Sequence, residues 1–295
     1  MTQNYSAGDE GESGLLRLLA PNPSPMTNEG TNSYIVGTDD VAIIDPGPAD
    51  AGHMAAIVDA VAGRRVRGIL VTHAHLDHSP AAAPLAARLD APVMAFGPAD
   101  AGRSPTMQGL SNTIGGGEGV DAAFRPDVLM SSGDMLTGQG WTLRGHHTPG
   151  HMANHLSFEW PERRAVFTGD TVMDWASTLI SPPDGDLGQF MRSLDLLERL
   201  DADRFLPGHG DPVLCPEARC RELRTHRLSR EASILGCLDQ PRTVENIVAA
   251  VYTEVPAALV QAAGRNVLAH LVHLNETDRA RAVPSIAPGC RWVRR

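Results

Sequence analysis

No apolar run in the sequence approaches the roughly 20 residues that a helix needs to span a bilayer. The first 13 residues are polar and acidic, without the positively charged and apolar segments that are typical of a signal peptide. Both absences argue against membrane insertion and export. We therefore expect a cytoplasmic protein that has no membrane partner.

Lysine is absent and cysteine is scarce. Arginine carries all 25 of the Lys/Arg charges. The four cysteines all lie in the last third and form neither a C-x-x-C pair nor a disulfide framework: Cys215, Cys220, Cys237 and Cys290. We expect buried or idle thiols, because free cysteine packs as a small apolar residue.

The net charge of −10 is unevenly distributed along the chain. Residues 1–214 carry 13 arginines and 27 acidic residues, a balance of −14, whereas residues 215–295 carry 12 arginines and 8 acidic residues, a balance of +4. A basic tail on an acidic body indicates a polyanionic partner for the tail. A solvated arginine-rich surface is the alternative, and charge alone favours it.

Residues 1–214 alternate short apolar strands with helices, which predicts one mixed α/β catalytic domain. We predict strands at 32–36, 41–44, 68–72, 93–96, 142–147, 156–160, 165–168 and 204–206. Helices are expected at 54–61, 79–89 and 187–200, with Ser79 as N-cap and Pro80 at the first position of the second helix. Segment 101–127 contains the glycine cluster 115–119 and is predicted to be a loop, either a functional lid or plain surface.

The pattern changes at about residue 215. We predict helices at 217–238, 243–252 and 257–274, followed by strands at 280–283 and 290–293 around the turn Pro288-Gly289. Three helices and a hairpin are typical of a winged helix, which is a variant of the helix-turn-helix. The sequence therefore predicts two domains, residues 1–214 and residues 215–295.

Metal-ligand residue types follow four separate apolar strands. They are His73, His75, Asp77 and His78 after the first, then His147, Asp170 and His209 after the others. If these strands share one layered fold, the four loops converge on one edge of it. Burying three histidines and an aspartate within six residues costs solvation free energy unless a cation compensates for it. Structural packing is therefore a poor explanation for this cluster.

Imidazole and carboxylate ligands suit zinc and similar first-row ions. Seven ligands are enough for two such ions that share one bridging carboxylate. Two ions about 3.5–4 Å apart can hold a hydroxide between them and stabilise charge on the attacked centre. The pattern predicts a hydrolase with two divalent ions, zinc first and manganese or iron as alternatives, and Asp77 as a catalytic residue that orients the hydroxide.

The segments T-H-A-H-L-D-H, H-T-P-G-H, F-T-G-D and L-P-G-H-G resemble the successive motifs of the metallo-β-lactamase superfamily, including glyoxalase II. The resemblance spans residue 15 to about residue 213 and implies a four-layer αβ/βα sandwich. It also implies that His73, His75 and His147 hold one ion, that Asp77, His78 and His209 hold the other, and that Asp170 bridges them. We prefer His147 to His146 because His147 shares a strand face with Trp141 and Leu143.

The tail is similar to the winged helix of a glyoxalase-II-like subgroup that includes the metal-dependent endoribonucleases called β-lactamase-like protein 2. Two tail segments carry this resemblance: H-R-L-S-R-E-A-S-I-L (226–235) and A-A-L-V-Q-A-A-G-R-N-V-L-A-H-L (257–271). The segment S-T-L-I-S-P-P-D-G-D (177–186), which follows the Asp170 strand, also matches the subgroup. They are less specific than the metal motifs.

Several other residues have weaker cases. Asp45 ends a strand and is interpreted as a group that pins the ligand loops rather than as a ligand. His151 and His155 are expected to serve loop hydrogen bonds, whereas His53, His226, His270 and His273 belong to no cluster. Arginines partly share one face of the first tail helix, where they would either contact nucleic-acid phosphates or form a solvated surface: Arg219, Arg221, Arg224, Arg227 and Arg230.

Three functions compete at this point. A hydrolase of single-stranded RNA or another phosphodiester is weakly preferred, because the basic tail would bind the polyanion. Against it, the catalytic part is acidic and lacks interleaved aromatic and basic residues. A hydrolase of a small thioester, lactone or β-lactam is the first alternative. A non-enzymatic winged-helix regulator is the second, but it would be favoured by a gap in the ligand set, and there is none. A homodimer remains open.

Overall fold

The computed structural model of the protein describes residues 14–295. The predicted lack of a signal peptide concerns residues outside this range. Within it, no helix is long and apolar enough to cross a membrane. The four cysteines are free, and Cys220 is buried.

The first sheet has six strands in sequential order, antiparallel from β1 to β3 and parallel from β3 to β6. Alternating side chains of these strands enter two different cores. The strands are β1 Leu15–Leu19, β2 Asn32–Val36, β3 Asp40–Ile44, β4 Arg65–Leu70, β5 Val93–Ala95 and β6 Val128–Leu129.

The second sheet has five strands in the order β11-β10-β9-β8-β7. Only β10 and β11 are parallel, and a helix connects them. The strands are β7 Met135–Gly138, β8 Trp141–His147, β9 Leu156–Trp160, β10 Ala165–Gly169 and β11 Arg204–Pro207.

The two sheets pack face to face, and helices cover their outer faces. The helices of this part are α1 Ala51–Ala60, α2 Ala82–Leu89, α3 Pro105–Leu110 and α4 Leu187–Glu198. Tyr34 and Ile44 of the first sheet meet Phe158 and Phe167 of the second in one buried cluster. Helices α1 and α2 bury apolar side chains against the first sheet, and α4 does so against the second. This arrangement confirms the predicted four-layer sandwich.

The C-terminal part consists of three helices and a hairpin, which confirms the predicted winged-helix layout. Its elements are α5 Pro216–Gly236, α6 Val244–Val251, α7 Val260–Glu276, β12 Ala280–Val283 and β13 Arg291–Arg294. Buried Trp292 packs with residues of α5, α6 and α7. Helix α5 also packs against α4 through Cys220 and Leu223, so its first half covers the sandwich. The division at residue 214 stays a prediction.

One predicted helix start is wrong. Helix α2 begins at Ala82, after an N-cap at Ala81 that has no side-chain hydrogen bond. The Ser79 hydroxyl instead lies 3.0 Å from the His75 carbonyl oxygen and 2.8 Å from Asp121 Oδ2. Ser79 therefore braces the ligand loop that follows β4, a long-range contact that a capping pattern does not reveal.

Candidate metal centre

The clustered ligand candidates lie just beyond strand ends, in loops that meet at one edge of the sandwich. His73 follows the end of β4 at Leu70 by three residues, and Asp170 directly follows β10. His209 follows the end of β11 at Pro207 by two residues. The sheets thus fix where each loop begins, and the loops place the side chains.

Four side chains form the first group: His73, His75, His151 and Asp170. His75 Nδ1 lies 3.0 Å from both His73 Nε2 and His151 Nε2. His151 Nε2 is 3.6 Å from Asp170 Oδ2. Tetrahedral zinc with bonds of about 2.0–2.1 Å places its ligand atoms about 3.3–3.4 Å apart. The spacing of this group fits such an ion.

Three side chains form the second group, which lies next to the first. His209 Nε2 is 3.1 Å from Asp77 Oδ2 and 3.3 Å from His78 Nε2. His78 Nε2 is 3.4 Å from Asp77 Oδ2. These distances also suit ligands around one small cation.

Asp170 faces both groups. Its Oδ2 is 3.6 Å from His151 Nε2 and 3.4 Å from His209 Nε2. Within residues 14–295, its Oδ1 is buried without a hydrogen-bond partner and lies 3.4 Å from His78 Nε2 of the second group, a costly arrangement for a carboxylate oxygen unless a cation binds it. Position and missing partner both fit the bridging role that the motif resemblance implies.

The outer ring nitrogens of four histidines are held by other groups of the chain. The contacts to Nδ1 are Thr72 Oγ1 for His73 at 2.9 Å, Asp45 Oδ2 for His78 at 2.9 Å, the Leu179 carbonyl for His151 at 2.7 Å and the Gly30 carbonyl for His209 at 3.0 Å. An acceptor at Nδ1 fixes the proton there, so that Nε2 offers its lone pair to the site. Such anchoring is typical of metal-binding histidines.

Asp45 confirms its predicted role as a pinning group. Its Oδ1 accepts the backbone N–H of Thr72 at 2.7 Å, and its Oδ2 accepts the Thr72 hydroxyl at 2.8 Å. The same Oδ2 contacts His78 Nδ1. One buried carboxylate therefore orients ligands of both groups.

Two glycines allow this close packing. A Cβ on Gly208 would lie 2.5 Å from Asp170 Oδ1 and 2.7 Å from His78 Cε1. Gly169 has a φ of +47°, and a Cβ there would lie 2.6 Å from His155 Nε2. Larger residues at either position would displace Asp170.

The histidines of the two groups differ in protonation. Burial lowers the pKa of His73 and of His151, and it lowers that of His75 to about 3, so these rings are neutral. Burial opposes protonation of His209 as well, but the Asp170 and Asp77 carboxylates raise its pKa to about 10. Cations and these protons compete for the same atoms, so metal affinity rises with pH.

The two acidic ligands are ionised. Burial alone would raise the pKa of Asp77 and of Asp170, but the facing imidazoles of His78 and His209 hold both below the usual range. Both carboxylates are therefore available as ligands at neutral pH.

The structure brings together six of the seven predicted ligands and excludes His147, which is a correction. His147 Nε2 contacts the Ala153 carbonyl oxygen at 2.9 Å, and its ring stacks on Phe96 with a centroid distance of 3.8 Å. His151, four residues later, takes its place beside His73 and His75. The interpretation of His151 as a loop hydrogen-bonding residue was therefore incomplete.

The physical reason lies in the strand end. His147 is the last residue of β8 and does share a face with Trp141 and Leu143, which are buried between the sheets. That face points into the sandwich rather than toward its edge. The other ligands all lie past the end of a strand, and this offset was the signal in H-T-P-G-H that favours His151.

We expect His151→Ala to lower the affinity for one of two ions by at least about 100-fold, since it removes a candidate ligand whose Nδ1 is held by the Leu179 carbonyl. The matched variant His147→Ala should bind two ions normally and lose only about 1 kcal/mol of stability from the aromatic contact. Metal titration and thermal unfolding of both variants measure this. The opposite pattern would restore His147 as the ligand.

His155 confirms its predicted hydrogen-bonding role. Burial lowers the pKa of its imidazole well below the usual value, so the ring is neutral. Its Nε2 accepts the backbone N–H of Asp170 at 3.2 Å, and its Nδ1 lies 2.9 Å from the Thr148 hydroxyl. His155 thus fixes the backbone of the bridging candidate.

The arginines of α5 contact groups of this chain. Arg219 donates to the Met173 and Ala176 carbonyl oxygens, and Arg224 pairs with Asp195 and Glu198. The remaining contacts are Arg221 with Glu217, Arg227 with the Thr178 carbonyl and Arg230 with the Val251 carbonyl. These five side chains therefore all have partners within the chain, and the expectation that they contact phosphates stays a prediction.

Comparisons with known proteins agree with this architecture. The family described as "Metallo-beta-lactamase superfamily" matches residues 26–209, and the "Beta-lactamase associated winged helix domain" matches residues 243–292. A crystal structure of a metallo-beta-lactamase family protein from Thermus thermophilus superposes with a TM-score of 0.75 at 25% identity, covering 96% of this chain and 99% of that one.

Two relatives extend over most of the chain. "Beta-lactamase-like protein 2 homolog" of Drosophila melanogaster is 30% identical over 286 residues, which cover 92% of this chain and 91% of that protein. "Atrochrysone carboxyl ACP thioesterase" of Aspergillus chevalieri is 28% identical over 260 residues, which cover 82% and 74%.

The sandwich and its clustered histidines and aspartates define a metallo-hydrolase. The chain belongs to the metallo-beta-lactamase superfamily and combines its hydrolase domain with the winged helix associated with it.

Proposed function

We propose that the chain holds two divalent ions and hydrolyses a carboxyl ester or thioester whose acyl group is apolar. Such ions supply an activated water at neutral pH and polarise the attacked carbonyl group. Two observations support two ions: the geometry of the two ligand groups, and the buried Asp170 Oδ1 that has no hydrogen-bond partner.

Asp77 lies on the open side of the centre. Its side chain is 25% exposed, whereas those of His78 and His209 are buried. Its Oδ2 also accepts a hydrogen bond from the Thr31 hydroxyl at 3.3 Å. An ionised carboxylate at this position can accept a hydrogen bond from the attacking water and orient it toward the substrate.

The observation that carries the substrate class is a pair of exposed apolar side chains next to the candidate ligands. Leu76 stands between the ligands His75 and Asp77 and is 53% exposed. Trp175 is 39% exposed, and its ring lies against Gly210, next to His209. Exposed apolar side chains beside a catalytic centre are typical of a ligand-binding surface. The Aspergillus relative is named a thioesterase, which agrees with this substrate class.

Single-stranded RNA is the second candidate, and the hairpin favours it. In the register of β12 and β13, Arg281 lies opposite Val293 and Arg291 opposite Val283, on the face away from buried Trp292. Both arginines are exposed. They would contact phosphates in addition to, or instead of, the α5 arginines. The apolar opening of the site fits an acyl group better than a phosphodiester.

The test compares both classes on the same zinc- or manganese-loaded protein. We expect kcat/KM for an eight-carbon acyl thioester of N-acetylcysteamine to exceed that of the acetyl thioester by about tenfold or more, because burying an apolar group of this size is worth more than about 1 kcal/mol. Leu76→Ala and Trp175→Ala should reduce this preference while two ions stay bound.

The chain offers a matched control. Leu228 lies on α5, is also 53% exposed and is replaced by the same substitution, Leu228→Ala. That variant should keep the chain-length preference of the wild type. Cleavage of a labelled single-stranded oligoribonucleotide with no thioester turnover, lost in Arg281→Ala/Arg291→Ala, would replace the proposal by the RNA candidate.

A further inference from the structure

Segment 178–180 holds the third histidine of the first ligand group. The Leu179 carbonyl oxygen lies 2.7 Å from His151 Nδ1, and the Thr178 hydroxyl lies 3.0 Å from the same nitrogen. With Nδ1 donating to a carbonyl, Nε2 keeps the lone pair that faces Asp170. The orientation of His151 therefore depends on where this segment lies.

Two side chains of the C-terminal helices fix the segment from the opposite side. Arg227 of α5 donates to the Thr178 carbonyl oxygen. Asn266 of α7 accepts the backbone N–H of Ile180 with its Oδ1 at 3.1 Å. Arg227 also donates to Asn266 Oδ1 at 3.2 Å, so the two side chains act as one unit.

Arg227 is a buried cation on α5. It is only 3% exposed, and its guanidinium carbon lies 5.3 Å from the centre of the Phe190 ring. Burial lowers its pKa to about 10, so the side chain stays a cation at neutral pH. A buried cation is costly unless its donors are satisfied. This cost makes the position of the Thr178 carbonyl, and with it the course of segment 178–180, strongly defined.

We propose that Arg227 and Asn266 are positioning residues for the metal centre, through which the C-terminal helices set the orientation of His151. The inference rests on the proposed two-metal centre. It assigns the winged-helix part a role in metal affinity that needs no contact with substrate. The ion held by His73, His75 and His151 depends on it, whereas the ion held by Asp77, His78 and His209 does not.

The experiment measures Zn²⁺ binding by the full chain in graded chelator buffers, together with thermal unfolding of the metal-free protein. Arg227→Met keeps most of the side-chain volume and removes the donors. We expect the affinity for one ion to fall about 10–100-fold, the usual effect of losing a group that orients a ligand. The affinity for the other ion should stay within about twofold of the wild-type value.

Asn266 supplies a second variant at a half-buried position, in case the arginine variant does not fold. Asn266→Ala should lower the affinity for the same ion. Asn266→Asp should restore that affinity, because a carboxylate oxygen can accept hydrogen bonds from both Ile180 and Arg227. Arg224→Met is the matched control, since Arg224 lies one turn earlier on α5 and pairs with Asp195 and Glu198 instead. It should bind both ions as the wild type does.

A double variant identifies the affected ion. In the His151→Ala background, Arg227→Met should cause no further loss of Zn²⁺ affinity, because residues that act through one contact are not additive. Equal loss of both ions, or normal binding by Arg227→Met and Asn266→Ala, would overturn this inference and leave the two-metal centre standing. A wild-type chain that binds no Zn²⁺ overturns the metal centre, and the inference with it.

Discussion

Replacing Asp170 with alanine should reduce bound metal from two ions per chain to one or none and lower kcat/KM on the order of 1000-fold or more. Asp170 Oδ2 lies within 4.0 Å of His73, His151 and His209 nitrogens, so the substitution removes the carboxylate that faces both groups. Elemental analysis after purification without chelator, and again after reconstitution, measures the stoichiometry.

Asp201→Ala is the control for this substitution. Asp201 is an exposed carboxylate that pairs with Arg164, and it belongs to neither ligand group. Its loss should change neither the metal content nor the rate. A wild-type chain without metal after reconstitution, or an Asp170→Ala variant with two tightly bound ions, would contradict the two-metal centre.

Replacing Asp77 with asparagine should lower kcat by about 100-fold or more and leave KM nearly unchanged. The amide keeps the size of the side chain but lacks the negative charge that strengthens the hydrogen bond from the attacking water. An interaction made mainly in the transition state lowers kcat rather than substrate affinity. Steady-state kinetics with the thioester series measures both constants.

The metal content of the Asp77→Asn variant must be measured alongside its rate, because Asp77 also belongs to the second ligand group. A low kcat with two ions bound supports the orienting role. Wild-type turnover with two ions bound would make Asp77 a purely structural ligand. A low kcat with one ion bound would assign the loss to the metal.

Much of the fold followed from local pattern. The β-hairpin of β2 and β3, the parallel strand β4 and the helix α4 all lie within a few residues of their predicted places. Short strands such as β6 and β7 were not predicted, because two to four residues carry too little periodicity. Ser79 does not cap the helix because its hydroxyl donates to the His75 carbonyl and to the distant Asp121 instead.

The candidate site divides in the same way. Local pattern identified which strands lead to the clustered side chains, since a buried strand followed by histidine and aspartate can be recognised in the sequence. It predicted six of the seven clustered side chains, and also Asp45 and His155 as their supports. It did not determine which histidine of H-T-P-G-H enters the site.

Contacts between distant parts of the chain bring His151 rather than His147 into the cluster and give Arg227 its place beside it. His151 is held by a carbonyl 28 residues away, and Arg227 reaches the same segment from 49 residues away. Past a strand end, the direction of a side chain is set by such contacts and no longer by the alternation of the strand.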